Sequence, residues 1–264
     1  MPLLSRPMWA GILAIPALAQ SPWEISAGCM AANNPVYYGA SERRTEVVPL
    51  LALKYRGAYL GPSRLGSHGA LGYSTDPQKP WMWMAEFGIT NGRFERWAHH
   101  LLGMGDRIEN YWLGAGVQRN FGSTFLLLAT NAGLREDSGI KATLTLGHRI
   151  RFHGGMLESR ASVTGATRQN MHYDFGISPE AAERRAILVA SGNRDLDASD
   201  LGSYAPRGGL RDGSIAAMFI RPVNAHWSWV AGVRGVYLLN QASDSPLVRA
   251  RSSVSLLTGT SYTF

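Results

Sequence analysis

Ile140-Lys141-Ala142-Thr143-Leu144-Thr145-Leu146-Gly147-His148-Arg149-Ile150-Arg151-Phe152 separates into two sets with a period of two. The even positions carry Ile140, Ala142, Leu144, Leu146, His148, Ile150 and Phe152. The odd positions carry Lys141, Thr143, Thr145, Gly147, Arg149 and Arg151. A helix would scramble these sets, whereas a strand places them on opposite faces. The same alternation recurs elsewhere. Trp81, Trp83, Ala85, Phe87 and Ile89 oppose Met82, Met84, Glu86, Gly88 and Thr90. Trp227, Trp229, Ala231, Val233 and Tyr237 oppose Ser228, Gly232 and Arg234. At the end of the sequence Val254, Leu256, Thr258, Thr260, Tyr262 and Phe264 oppose Ser253, Ser255, Gly259, Ser261 and Thr263. Segments 123–135 and 208–221 alternate less cleanly.

Worked outward, the pattern predicts about twelve strands: 23–32, 46–56, 57–64, 68–75, 80–91, 109–121, 123–135, 139–152, 156–168, 208–222, 226–240 and 250–264. The third and fourth are the weakest, and losing or merging them gives ten. Tight turns at Arg56-Gly57, 75–79, 121–123, 153–155 and 222–225 alternate with longer segments at 33–45, 92–108, 169–207 and 241–249. Short turns at one end and long loops at the other are the layout of an antiparallel up-and-down transmembrane β-barrel.

Composition agrees. The 264 residues are 45% hydrophobic and only 17% charged. No apolar run approaches the roughly 18 residues of a spanning helix. Aromatics at 10% and the lack of low-complexity tracts argue against disorder. A soluble β-sandwich or lipocalin-like barrel would also alternate. Against it, aromatics gather at strand ends (Trp23, Tyr55, Trp81, Trp83, Trp112, Phe152, Trp227, Trp229, Tyr262, Phe264), as interfacial girdles do. The face opposite the lipid-facing one also collects charge: Glu24, Lys54, Arg56, Glu86, Lys141, Arg149, Arg151, Glu158, Arg160, Arg234 and Arg251. A dry soluble core could not hold so many ions. A hydrated lumen could, so these charged residues are the expected lumen lining.

Residues 1–19 read as an export signal. Arg6 precedes the apolar run Met8–Ile15, and Ala17-Leu18-Ala19 places cleavage before Gln20. Residues 20–264 would then form the barrel. Cys29, the single cysteine, has no partner in the chain and is expected to be buried or lipid-facing. The net charge of +7 comes from arginines scattered along the chain, never more than two in succession, which excludes a nucleic-acid stripe. His226-x-Ser228 falls at a turn without an acidic partner, and His99-His100 would point opposite ways on a strand. No phosphate loop or Cys/His cluster appears. Neither an enzyme, a metal site nor a cofactor is therefore expected. Ser261-Tyr262-Thr263-Phe264 resembles the terminal signal that Gram-negative barrel-assembly machinery reads, carried by Tyr262 and Phe264.

Several ordered motifs resemble the MipA/OmpV family of outer-membrane proteins, the MltA-interacting proteins. Tyr173-Asp174-Phe175-Gly176 is similar to the family's Y-FGV entry, with Asp174 inserted. Gly208-Gly209-Leu210-Arg211-Asp212 resembles its G-x-(G)-L-(R/K)-D. His226-Trp227-Ser228 and Ala242-Ser243-Asp244-Ser245-Pro246 resemble its H-W-S and A-(A/D)-D-S-P. Leu101-Leu102-Gly103-Met104-Gly105-Asp106 is similar to L-x-G-x-G-D, and Pro35-Val36-Tyr37-Tyr38-Gly39 to the first loop. The resemblance implies a scaffold in the bacterial outer membrane, among lipid and lipopolysaccharide, linking a murein lytic transglycosylase to a peptidoglycan synthase. Other members imply a porin-like channel, or an adhesin acting through loops such as 169–207.

Overall fold

The computed structural model describes residues 23–65, 69–90, 92–196 and 201–264. The proposed export signal and its cleavage site lie outside them. Among the described residues, twelve strands close into an antiparallel barrel in which each strand pairs with its sequence neighbours and β1 pairs with β12. They are β1 (Trp23–Pro35), β2 (Arg43–Tyr55), β3 (Ala58–Pro62), β4 (Gly69–Ser74), β5 (Trp81–Thr90) and β6 (Asn110–Phe121). The others are β7 (Thr124–Gly133), β8 (Ile140–Phe152), β9 (Gly155–Ala166), β10 (Gly209–Pro222), β11 (Trp227–Leu238) and β12 (Ser252–Thr263). Ring closure runs from Ser26 opposite Thr263 to Asn33 opposite Leu256. Closure gives every strand a neighbour on both sides, as a sheet surrounded by hydrocarbon requires, although β2 meets the short β3 only over Leu53–Tyr55.

The alternation translates directly into facing. Along β5, Met82, Met84 and Glu86 are buried and point inward, while Trp81, Trp83, Phe87 and Ile89 are exposed on the outer wall. In β8, Ile140, Leu144, Leu146 and Ile150 lie outside, with Thr145 buried inside. Cys29 is exposed on the outer face of β1. The less regular segment 123–135 is apolar on both faces, with Phe125 and Leu127 inward and Leu126 and Leu128 outward. In β10 a register shift between Leu210 and Asp212 blurs the period and buries both Arg211 and Asp212. Most of the strand-end aromatics sit on the outer wall at the short-turn end. Trp112 is an exception: it is buried and turned inward.

Long loops are more ordered than their mixed charge implies. The long connection after β9 contains two helices, α1 (Arg168–Phe175) and α2 (Pro179–Ala190). Thr167 and Ser178 cap them, their side chains accepting from the amides of Asn170 and Ala181, and Pro179 supplies the fixed φ of a first turn. Segment 92–108 holds two 3-10 turns, Glu95–Trp97 and His99–Leu101. A short helix, α3 (Asn240–Ser243), follows β11. The first loop shrinks from 33–45 to residues 36–42, because β1 and β2 extend in register up to Pro35 and Arg43.

Candidate functional site: the capped and half-packed lumen

Two features give this barrel its character: a filled half of the lumen and a loop cap at the long-loop end. The filled half lies behind β3–β7. The chain leaving β3 turns inward, so Ser63, Arg64 and Leu65 are all buried. Glu86 organises this turn. Its carboxylate accepts from the Tyr59 hydroxyl, from Ser63 Oγ at 2.5 Å, and from the amides of Arg64 (2.6 Å) and Leu65 (3.2 Å). The Arg64 guanidinium stacks over the Tyr59 ring and donates to Ser74 Oγ at 2.6 Å. Each of those donors would be stranded without the carboxylate.

Leu65 is thereby delivered into an apolar cluster with Met82, Met84, Trp112, Phe125, Leu127 and Ala129. Asn131 Nδ2 fixes it by donating to the Leu65 carbonyl at 3.0 Å. Glycines make room for these groups. A Cβ on Gly88 or Gly114 would strike the Trp112 ring, one on Gly147 would strike Phe125, and one on Gly116 would meet Leu65 at 2.7 Å. Part of the chain's glycine content is therefore a set of seats for inward rings.

A second apolar cluster, Met30, Leu50, Met156, Met218, Ile220, Val230 and Leu257, fills the short-turn half of the lumen from β2 round to β9. The lumen is consequently less ionic than expected. Between the clusters Glu158 is buried and accepts from Arg149 Nε at 2.8 Å and from Arg160 Nε, while both guanidiniums face the Phe125 ring.

The expected lining residues separate into three groups. Glu86 and Glu158 are buried inside the wall. Lys54, Lys141, Arg149, Arg160 and Arg234 are inward and half-buried, Lys54 facing Glu24 across the β1–β2 pair. Arg151 lies exposed at the short-turn rim. Arg56 and Arg251 are corrections. Arg56 occupies the β2–β3 turn with φ 53°, against the Tyr55 ring, because the turn needs a left-handed residue. Arg251 precedes β12 in a long loop and pairs with Asp244 at 3.4 Å.

The cap gathers most of the motif residues. Ala98, Leu101, Met104, Ile177, Ala181 and Leu247 form one cluster, against which Val36, Tyr37, Ala182 and Tyr204 pack. Met171, Phe175, Leu238 and Ala242 form another, with Tyr38 and Val248 against it. Hydrogen bonds stitch the loops together. Tyr37 OH donates to the Leu247 carbonyl at 2.7 Å, Ser245 Oγ to the Phe175 carbonyl at 2.6 Å, and Arg184 Nε to the Gly103 carbonyl at 3.0 Å. Gly103 has φ 78° and lies so close to Arg185 that a side chain there would collide. Pro246 continues the turn between Ser245 and the buried Leu247, and Gly176 closes α1 against His172. Tyr173 stacks under Arg107, and Gly209, with φ 154°, opens β10.

Arg211 is the cap's electrostatic centre. It donates to Asp212 at 2.7 Å, to Asp174 at 2.8 Å and to Asn170 at 3.3 Å, and covers the Tyr38 ring. Asp174, the insertion in the first motif, thus supplies its second carboxylate. Arg93 donates to the Asp174 carbonyl at 3.1 Å, and burial together with nearby Arg107 pushes its pKa down to about 9. His99 and His100 lie in a 3-10 turn and not on a strand. His99 faces Asp195 at 3.5 Å, and His100 meets the Tyr37 hydroxyl and Glu42.

His226 and Trp227 belong to the opposite end. The His226 ring stacks on Tyr262, its Nδ1 lies 2.9 Å from the Thr263 carbonyl, and Trp227 and Phe264 pack edge-on against the same tyrosine. These residues lock the closing strand in place. The inturn of Ser63–Leu65, and the role of the inward Glu86 as its anchor, were invisible in the sequence. The signal for the inturn was the Gly61-Pro62 break inside the third expected strand, 57–64.

The family model "MltA-interacting protein MipA" matches residues 27–264. No curated protein matches the chain. Among solved structures, an anion-selective porin from Comamonas acidovorans shares 8% identity, with 92% of this chain and 98% of that one covered and a TM-score of 0.40. OmpF of Salmonella typhi, in complex with daunomycin, shares 10% over 92% and 97%, with a TM-score of 0.36. The toluene transporter TbuX of Ralstonia pickettii shares 9% over 91% and 88%, with a TM-score of 0.37.

Proposed function

The chain belongs to the MltA-interacting protein MipA family, and on that premise we propose that this outer-membrane barrel is a scaffold. It docks a murein lytic transglycosylase at its short-turn, periplasmic end and links it to a peptidoglycan synthase. The observation that carries this reading is the lumen itself: four long loops interlock over one end, and apolar clusters occupy much of the interior. A barrel built this way holds and presents, and its chemistry is that of docking.

The short-turn rim supports the same reading. Arg56, Lys79, Arg151 and Arg221 are exposed there, with Asp76 opposing them. Such a rim favours an acidic partner surface and fast encounter. A stable contact needs about 800 Å² from each partner, more than short turns alone offer. Co-anchoring of the partners in one membrane raises their effective concentration and relaxes that requirement. Exchange of residues 153–155 and 222–226, or charge reversal of the four basic residues, is expected to abolish recovery of the transglycosylase in a pull-down. Unchanged recovery would rule out the rim.

A porin-like role is the second reading, favoured by the half-buried polar wall on β8 and β10–β12. Planar-bilayer recording separates the two, because the scaffold reading expects no steady channel events from the intact barrel.

A further inference from the structure

The inward face is not uniformly filled. On β5–β7 the inward residues Met82, Met84, Trp112, Gln118, Phe125, Leu127 and Asn131 are buried. On β8 and β10–β12, in the half nearer the cap, the inward residues Lys141, Thr143, Ser214, Arg234, Ser253 and Ser255 stay only half-buried. Space the size of water therefore remains against this wall. Its floor is the Met30–Leu257 apolar cluster, and its ceiling is Tyr38 beneath the loops, with Arg211 over the ring at 4.6 Å.

The chemistry of this space is cationic. Lys141 and Arg234 point into it from β8 and β11, and neither forms a salt bridge among the described residues. Arg211 by contrast is already satisfied by Asp174 and Asp212. Hydroxyls accompany the two cations: Thr143 bonds Thr164 at 3.2 Å, and Ser255 stands directly opposite Arg234 in the β11–β12 register. Two half-buried cations that form no salt bridge among the described residues leave donors open to an anion.

We propose that the chamber under the cap binds a small oxyanion, of phosphate or carboxylate type, between Lys141 and Arg234 with the Tyr38 hydroxyl as a further donor. The site is independent of the docking rim. It would hold the anion by charge-assisted hydrogen bonds, which are stronger than neutral ones.

Tyr38 also reports on the site. Burial opposes ionisation of its phenol, but Arg211, Arg234 and Lys141 outweigh burial and Asp212, holding it below the ordinary tyrosine range. An anion seated beside it must push that titration back up, by the reciprocity of linked equilibria.

The test is an alkaline titration of the folded barrel in detergent, read by tyrosinate absorbance, with Tyr38→Phe identifying the earliest step. Inorganic phosphate and acetate are added in separate arms, with chloride at matched ionic strength as the screening control. The expected result is a saturable upward shift of that step with phosphate or acetate beyond the chloride arm. Lys141→Gln and Arg234→Gln should each weaken the apparent affinity about tenfold, while heat-modified gel mobility shows them folded. An equal effect of chloride, no shift with either anion, or unchanged affinity in both folded variants would each overturn the proposal.

Discussion

The two halves of the lumen are built from the same kind of strand and end in opposite states. Behind β3–β7, an inturned loop, two aromatic rings and two methionines fill the space, and glycines make room for them. Behind β8 and β10–β12, in the half nearer the cap, short hydroxyl side chains and two cations leave the space unfilled. The difference lies in side-chain length at inward positions and in one carboxylate, Glu86, which pulls three consecutive residues off the wall and into the interior. A barrel of this size can thus be plugged on one side and hollow on the other without any change in strand pairing.

Removing that carboxylate is the harshest way to break the contrast. Glu86→Ala strands the Tyr59 and Ser63 hydroxyls and two amides, and is expected to cost about 4 kcal/mol in urea unfolding from lipid vesicles. It should also release Leu65 and raise the frequency of channel events above that of the unaltered barrel in planar-bilayer recording. Glu158→Gln comes next. It removes the carboxylate charge that Arg149 and Arg160 share beside Phe125, a loss of about 3 kcal/mol by the same measurement. Gly147→Ala forces a methyl into the Phe125 ring and is expected to cost about 2 kcal/mol. At Gly116 the obstructing atom is the flexible tip of Leu65, so Gly116→Ala should cost about 1 kcal/mol or less. Comparable losses at the two glycines would mean that the packed half is looser than described. The gentlest change concerns the ceiling of the hollow half. Asp174→Asn weakens one ion pair of Arg211 by about 1 kcal/mol. Protease cleavage within 176–196 should rise about fivefold while the barrel stays folded.

Strands were legible in the sequence because their signal is local. In β8 every second residue reports its own environment, and even the short β3 and β4 left a trace. Facing was legible for the same reason, except where β7 is apolar on both sides and where the β10 bulge breaks the period. Contents of the lumen were not legible. An inward Met84 or Leu127 looks the same in sequence whether it meets water, a ring or a neighbouring loop. Glu86 reads as one more lumen charge until Tyr59 and Ser63 are known to converge on it. Arg56 and Arg251 follow the alternation for one position beyond where the strands stop, so pattern alone placed them on the wall. The cap was half visible. Its motifs could be picked out in order, but their meeting in space depends on contacts such as Ser245 with Phe175, far apart in the chain.

The brevity of β3 and β4 reaches beyond the protein. Five and six residues, tilted as barrel strands are, raise a wall of only about 13 Å, against an apolar band of about 25 Å on typical barrels. Strands such as β1 and β2, with thirteen residues each, overtop that band easily. The surrounding bilayer therefore meets a notch on one flank, where Leu60, Leu71 and Tyr73 are the outward apolar groups. Acyl chains beside the notch must shorten or splay, at a fraction of a kcal/mol for each ångström of mismatch. The membrane is thinned on one flank only, so the molecule has a front and a back as seen by its lipids, and insertion should quicken in bilayers of shorter chains.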